Sequence, residues 1–325
     1  MLLVRIIAVF TLVMALNSEA KNVLIVETLQ VPIITTHTKH IMSTLKRLDE
    51  LVNVEVFDGN GQSSLIESHI KQQLACDCFD LLVANGTLAA KIGNKVLKNK
   101  GIPMVFITVA DPEGAGLLLK TDPSNDFITG KVYSVERGTK LEIVNQLFHR
   151  KEVNIGIVAT SYSAALTDIA RIEEIAKDYN NIQLIKNIVE YNDGNTEALK
   201  STYTQAYSNA EKMKSKIDFF WSVNGPFSEK SEFVPFMSGL KPVLYGANIS
   251  SVKQGALFTV IPDPKEAGAE VAKMALRILN GMHPSHIEAG STKKNILAFN
   301  IKTATSLGIV IPFSLLKLAG EHVYH

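Results

Sequence analysis

Asp111 closes an apolar run, Val105-Phe106-Ile107-Thr108-Val109-Ala110, and opens a polar turn through Pro112, Gly114 and Gly116. A carboxylate there can meet a ligand. It can equally cap a helix, because Asp-Pro places an N-cap side chain before a residue pre-set for the first turn. Asp263-Pro264-Lys265-Glu266 repeats the layout with a capping-box glutamate, and there the cap is the expected role. Ala84-Asn85-Gly86-Thr87 stands between a strand-like and a helix-like segment, so free N–H groups and the positive end of the helix dipole can hold an anion. Asn85 or Thr87 can also serve as a cap. His37 and His40, His283 and His286, and His322 and His325 are each three apart. No carboxylate or cysteine beside them completes a metal set, and they are expected to be solvated. Asp58-Gly59-Asn60-Gly61-Gln62 lacks the turn glycine and closing glutamate of a calcium loop. No G-x-S-x-G elbow, P-loop or G-x-G-x-x-G follows a strand. No catalytic residue, cofactor or metal is assigned.

These residues sit where strands end. Apolar runs such as "NVLIVET", "FDLLVANG", "IPMVFITVADP", "VNIGIVATS" and "IDFFWSVNG" alternate with segments of helical spacing, for example Ile41, Leu45, Leu48 and Val52. Runs of that kind belong to parallel sheets covered on both faces, and the alternation implies an α/β, doubly wound architecture. Ligands in such sheets sit beyond the carboxyl ends of the strands. If two such series face each other, their strand-end loops converge on one cleft. The first series supplies Thr28, Asn85, Gly86, Thr87, Thr108 and Asp111. The second supplies Thr160, Ser161, Tyr162, Asn224, Gly225, Asn248 and Ser250.

The 33 basic and 32 acidic side chains nearly cancel, which leaves no basic footprint for nucleic acid. Arg5 precedes an apolar core from Ile6 to Leu16, and Ser18 and Ala20 stand three and one positions before Lys21, as in a cleavable secretory signal. That core reaches only ~16 Å as a helix, about half a bilayer's hydrocarbon thickness. A soluble exported protein beginning near Lys21 is expected. Cys76 and Cys78, two apart, rarely have the geometry for an unstrained bridge and are read as small buried side chains.

The run "VFITVADPEGAGLL" resembles the "VFTxVTDPVGAGLV" segment of ABC-transporter substrate-binding proteins with the type I periplasmic binding protein fold. "NISSVKQGALFTVIPDPKEAGAEVAKMALRILNGMHPSHI", "FDLLVANGTLAAK" and "IKTATSLGIVIP" resemble further segments of that family in the same order, so the likeness covers nearly the whole chain after residue 20. It implies two lobes joined by several crossings, residues 21–130 with 259–285 forming the first and 131–258 with 286–325 the second. It also implies a monomer that captures a small molecule, in some relatives an aromatic or branched amino acid, for an ABC permease. An exported sensor or an enzyme on the same fold are the alternatives. Two departures matter: Ala110 replaces the family's threonine before Asp111, and Asn248 and Ser250 replace the acidic residues of "DTDSVKRG". With those acids missing, the expected ligand is a small polar or carboxylate-bearing molecule, amino acids being the family-based alternative.

Overall fold

The computed structural model describes residues 21–118, 123–135, 138–149 and 151–325; the expected leader, residues 1–20, lies outside them. The first lobe begins β1 Lys21–Glu27, α1 Pro32–Leu48, β2 Val52–Asp58, α2 Ser63–Ala75, β3 Leu81–Asn85, α3 Thr87–Leu97, β4 Met104–Val109 and β5 Ile128–Val132. The second continues with α4 Thr139–Leu147, β6 Val153–Thr160, α5 Ser163–Ala176, β7 Ile182–Val189, α6 Thr196–Met213, β8 Phe219–Trp221, α7 Phe233–Ser238, β9 Val243–Tyr245, α8 Ile249–Lys253 and β10 Phe258–Pro262. The chain then returns through α9 Pro264–Leu279 and β11 Gly290–Ser291 to the first lobe, and ends in the second with β12 Asn295–Asn300, α10 Ile301–Ser306, α11 Phe313–Ala319 and β13 Val323–Tyr324.

One sheet runs β11-β5-β4-β3-β1-β2, all parallel. The other runs β13-β12-β10-β9-β8-β6-β7, with β12 alone antiparallel to its neighbour β10. The central strands are buried on both faces, as their unbroken apolar runs require: Val23 to Val26 and Leu81 to Ala84 are all at most 1% exposed. Helix α1 turns Ile34, Ile41 and Leu45 inward at helical spacing. Gly268 lets α9 press against it, since a Cβ there would stand 2.7 Å from His40 Cβ and 3.2 Å from the His37 carbonyl. The side-chain oxygen of Asp263 accepts from the N–H groups of Lys265 and Glu266, the cap that its Asp-Pro layout implies.

Four expectations differ from what is found. The strand at Phe258–Pro262 lies in the second sheet, not the first, and the crossing comes after it, at Asp263. Gly290–Ser291, expected in the second lobe, pairs with β5 in the first sheet. The pattern of an apolar run shows that a strand is buried but not which sheet it joins. Cys76 and Cys78 are exposed and bonded to each other, not buried thiols. Asp77 between them takes a positive φ of 51°, which folds the chain back and brings their Cα atoms to 5.2 Å. His37 is wholly buried rather than solvated.

Candidate functional site

The strand ends of the two lobes enclose a cavity that is partly open to solvent. From the first lobe come Thr28, Gly86, Thr87 and Thr108; from the second come Tyr162, Asn224 and Gly225. All seven were expected from position. Leu29, Val31, Ile33 and Ile34, in the turn into α1 and its first residues, make an apolar wall; Ala110, Ala164 and Pro226 extend it. Tyr133, on the first crossing between lobes, and Glu229 complete the lining.

The first-lobe side is held by interlocked polar groups. Thr28 Oγ1 accepts the N–H of Ala89 at 3.1 Å, satisfying a donor in the first turn of α3. Gly86 before it has a φ of 103°, and a Cβ there would collide with Thr28 Oγ1 and stand 3.0 Å from Ile34 Cδ1. No other residue fits that turn without moving the cavity floor. Thr108 is in the left-handed region at φ 59°, uncommon for a β-branched residue and costing on the order of 1 kcal/mol. Its hydroxyl donates to Asn85 Oδ1 at 2.6 Å and lies 2.8 Å from His37 Nδ1. With the hydroxyl proton committed to Asn85, Nδ1 carries the proton of a neutral His37. Asn85 Nδ2 donates onward to the Ile34 carbonyl and to Thr38 Oγ1, at 2.9 and 3.0 Å. Burial drives the His37 pKa down to about 3, so this relay stays neutral.

On the other side, Tyr162 stands just before α5, and its phenolic oxygen accepts the N–H of Leu88 across the cleft at 2.9 Å. Burial pushes its pKa up to about 12. Arg171 Nη1 donates to the Ala110 carbonyl at 3.0 Å and Nη2 lies 3.6 Å from Asp111 Oδ1, again across the lobes. Tyr191 donates to the Gly61 carbonyl at 3.0 Å, and Asp193 accepts from Ser63 Oγ. These bonds describe lobes drawn together.

Six expected residues do not line the cavity. Asn85 lies behind it in the relay. Asp111 turns away, accepting the Gly114 N–H at 3.1 Å and facing Arg171; a turn, not an α-helix, follows it. Thr160 is buried at the end of β6, and Ser161 Oγ accepts the Tyr191 N–H at 2.8 Å. Ser250 lies within α8, and Asn248 caps that helix, its Oδ1 accepting the Ser251 N–H at 3.0 Å. The other end of the Asn248 side chain donates to Glu229 Oε2.

Glu229, four residues past the strand-end Gly225, is the acid that position did not reveal. It is 8% exposed, and among the described lining residues it alone is charged. Burial raises its pKa to about 7 against the opposing amide of Asn248. Tyr133 has a buried hydroxyl with no hydrogen-bond partner among the described residues, and burial together with the charge of Glu229 raises its pKa.

The chain matches the family model described as ABC transporter substrate binding protein over residues 22–323, and it belongs to that family. Among solved structures it is similar to a conserved domain protein of Vibrio cholerae O1 biovar El Tor, at 21% identity and TM-score 0.80, over 94% of this chain and 100% of that one. It is similar to an ABC domain of Streptococcus pneumoniae in complex with L-Trp, at 21% identity and TM-score 0.78, over 94% and 99%. It also resembles an ABC transporter solute-binding protein of Bacillus halodurans with bound myo-inositol, at 15% identity and TM-score 0.64, over 93% and 98%. These likenesses establish the type I periplasmic binding fold. No curated protein matches the chain.

Proposed function

From membership of that family, we propose that the protein is an exported, monomeric solute-binding protein that closes its two lobes over one small organic molecule and delivers it to an ABC permease. The observation that carries this reading is the cavity itself: residues of both lobes surround it, and Tyr162 and Arg171 bond across its rim. A molecule touching both walls favours the closed arrangement by its differential affinity.

The lining favours an apolar body with a polar end. Leu29, Val31, Ile33 and Ile34 make one wall, and the rings of Tyr133 and Tyr162 lie in the same lining. A polyol such as the myo-inositol of the Bacillus relative would leave hydroxyls unpaired against the apolar wall, which is costly. An aromatic or branched body, like the side chain of the L-Trp in the Streptococcus relative, buries well there.

Small-angle scattering of ligand-stripped protein, with and without a saturating bound molecule, tests capture: the radius of gyration should fall on binding. Identical profiles would contradict closure. Delivery is tested by adding the loaded protein to membranes carrying a candidate ABC permease. Stimulated ATP hydrolysis supports transport, and stimulation of a signalling partner instead would favour a sensor.

A further inference from the structure

We propose that the cleft takes a small organic cation, an apolar primary amine without a carboxylate, whose ammonium is held by Glu229. This deepens the capture reading and rests on it.

Glu229 is buried against the cavity with the neutral amide of Asn248 as its hydrogen-bond donor. Among the described residues, the nearby cations are engaged elsewhere. Lys230 lies 5.2 Å above the Tyr203 ring and 3.3 Å from Glu232. Lys140 is 3.5 Å from Asp168, and Arg171 spans to Asp111 and the Ala110 carbonyl. A buried carboxylate with no counter-ion among the described residues is costly to keep charged, and a ligand ammonium supplies that charge. Tyr133 lines the same cavity with an unpartnered phenolic oxygen, a second acceptor for the ammonium hydrogens.

The opposite charge has no such place. Arg, Lys and His are absent from the described lining residues. The N–H groups at the head of α3 are largely taken: Gly86 donates to the Ile107 carbonyl, Leu88 to Tyr162 and Ala89 to Thr28. A ligand carboxylate would enter an apolar cavity without a counter-ion. Burial without a counter-charge raises the Glu229 carboxyl to about 7, and a bound cation draws it to the charged form. The titratable groups around it do not compete. Tyr133 and Tyr162 stay neutral phenols because burial raises both, and Lys230 on its own segment is turned to Tyr203 and Glu232.

The test is calorimetry on the chain from Lys21 onward at pH 7.5, with three matched pairs: phenethylamine and isopentylamine, phenylalanine and leucine, 3-phenylpropanoate and 4-methylpentanoate. An amine should bind at least tenfold tighter than its zwitterionic or anionic counterpart. Glu229→Gln should weaken it thirtyfold or more with an unchanged circular dichroism spectrum, and Glu229→Asp should recover part of the loss. Tighter binding by a zwitterion or carboxylate, no binding by either amine, or wild-type amine affinity in Glu229→Gln would overturn the proposal. If a zwitterion or carboxylate binds and compacts the protein in scattering, capture stands and only the cation assignment falls; if no member compacts it, both fall.

Discussion

Asn248 joins the first turn of α8 to the cavity acid: its Oδ1 accepts the Ser251 N–H at 3.0 Å while its Nδ2 donates to Glu229 Oε2. Both ends of the amide are therefore fixed. An aspartate at this position, as in the related "DTDSVKRG" segment, would set two carboxylates in contact. The change to asparagine is thus compatible with an acid in the pocket that comes from a different segment.

The pH dependence of stability follows from Glu229. Its folded pKa, about 7, lies above its ordinary 4.5. Its contribution is therefore fully present below pH 4.5 and is lost as pH rises through 7. The ceiling is roughly 3 kcal/mol, from about 1.4 kcal/mol per pKa unit. In urea unfolding, Glu229→Gln should equal the wild type near pH 4.5 and exceed it by about 2 kcal/mol at pH 8. Parallel pH profiles for the two proteins would show that Glu229 is not desolvated.

His37 acts with the opposite sign. Its folded pKa of about 3 lies below the ordinary 6.5, so its contribution is present above pH 6.5 and is lost as pH falls toward 3. Between pH 4.5 and 6.5 the two slopes oppose each other. Glu229→Gln should uncover the histidine slope, with stability rising across that interval, and His37→Leu should abolish it. At pH 7, His37→Leu should cost about 1–3 kcal/mol because Thr108 loses a partner in the relay. An unchanged acid limb in His37→Leu would refute this assignment.

Tyr162 and Thr28 separate closure from folding. Tyr162→Phe removes the acceptor for the Leu88 N–H across the lobes, at a cost of about 1 kcal/mol to the closed form. Ligand affinity should fall ~5-fold, with little change in the unfolding midpoint. Thr28→Val removes a bond inside one lobe, to Ala89, and should lower the midpoint itself. Reversed effects would mean that Tyr162 serves folding rather than closure.

Much of this organisation is legible in the sequence because it has a period or a position. Buried runs and helical stripes gave the α/β alternation, and the rule that ligands lie beyond strand ends reached Thr28, Gly86, Thr87, Thr108, Tyr162, Asn224 and Gly225. Glu229 was not legible, since it follows its strand by a turn whose path no periodicity encodes. Asp111 illustrates the converse: it stands at a strand end, yet an arginine 60 residues later in the chain, Arg171, draws it out of the cavity. His37 looks like one of several histidine pairs until the fold brings Thr108 and the Tyr133 ring against its imidazole.

Proton release on binding, followed by calorimetry with phenethylamine at pH 7 in phosphate and in Tris, tests directly whether Glu229 holds a ligand ammonium. Burial raises the Glu229 carboxyl to about that pH, and the amine arrives already protonated. Binding should release roughly half a proton per molecule, so the observed enthalpies should differ between the buffers, and the difference should vanish in Glu229→Gln. Tight binding with the same enthalpy in both buffers would contradict a buried carboxyl that ionises against the ligand's charge.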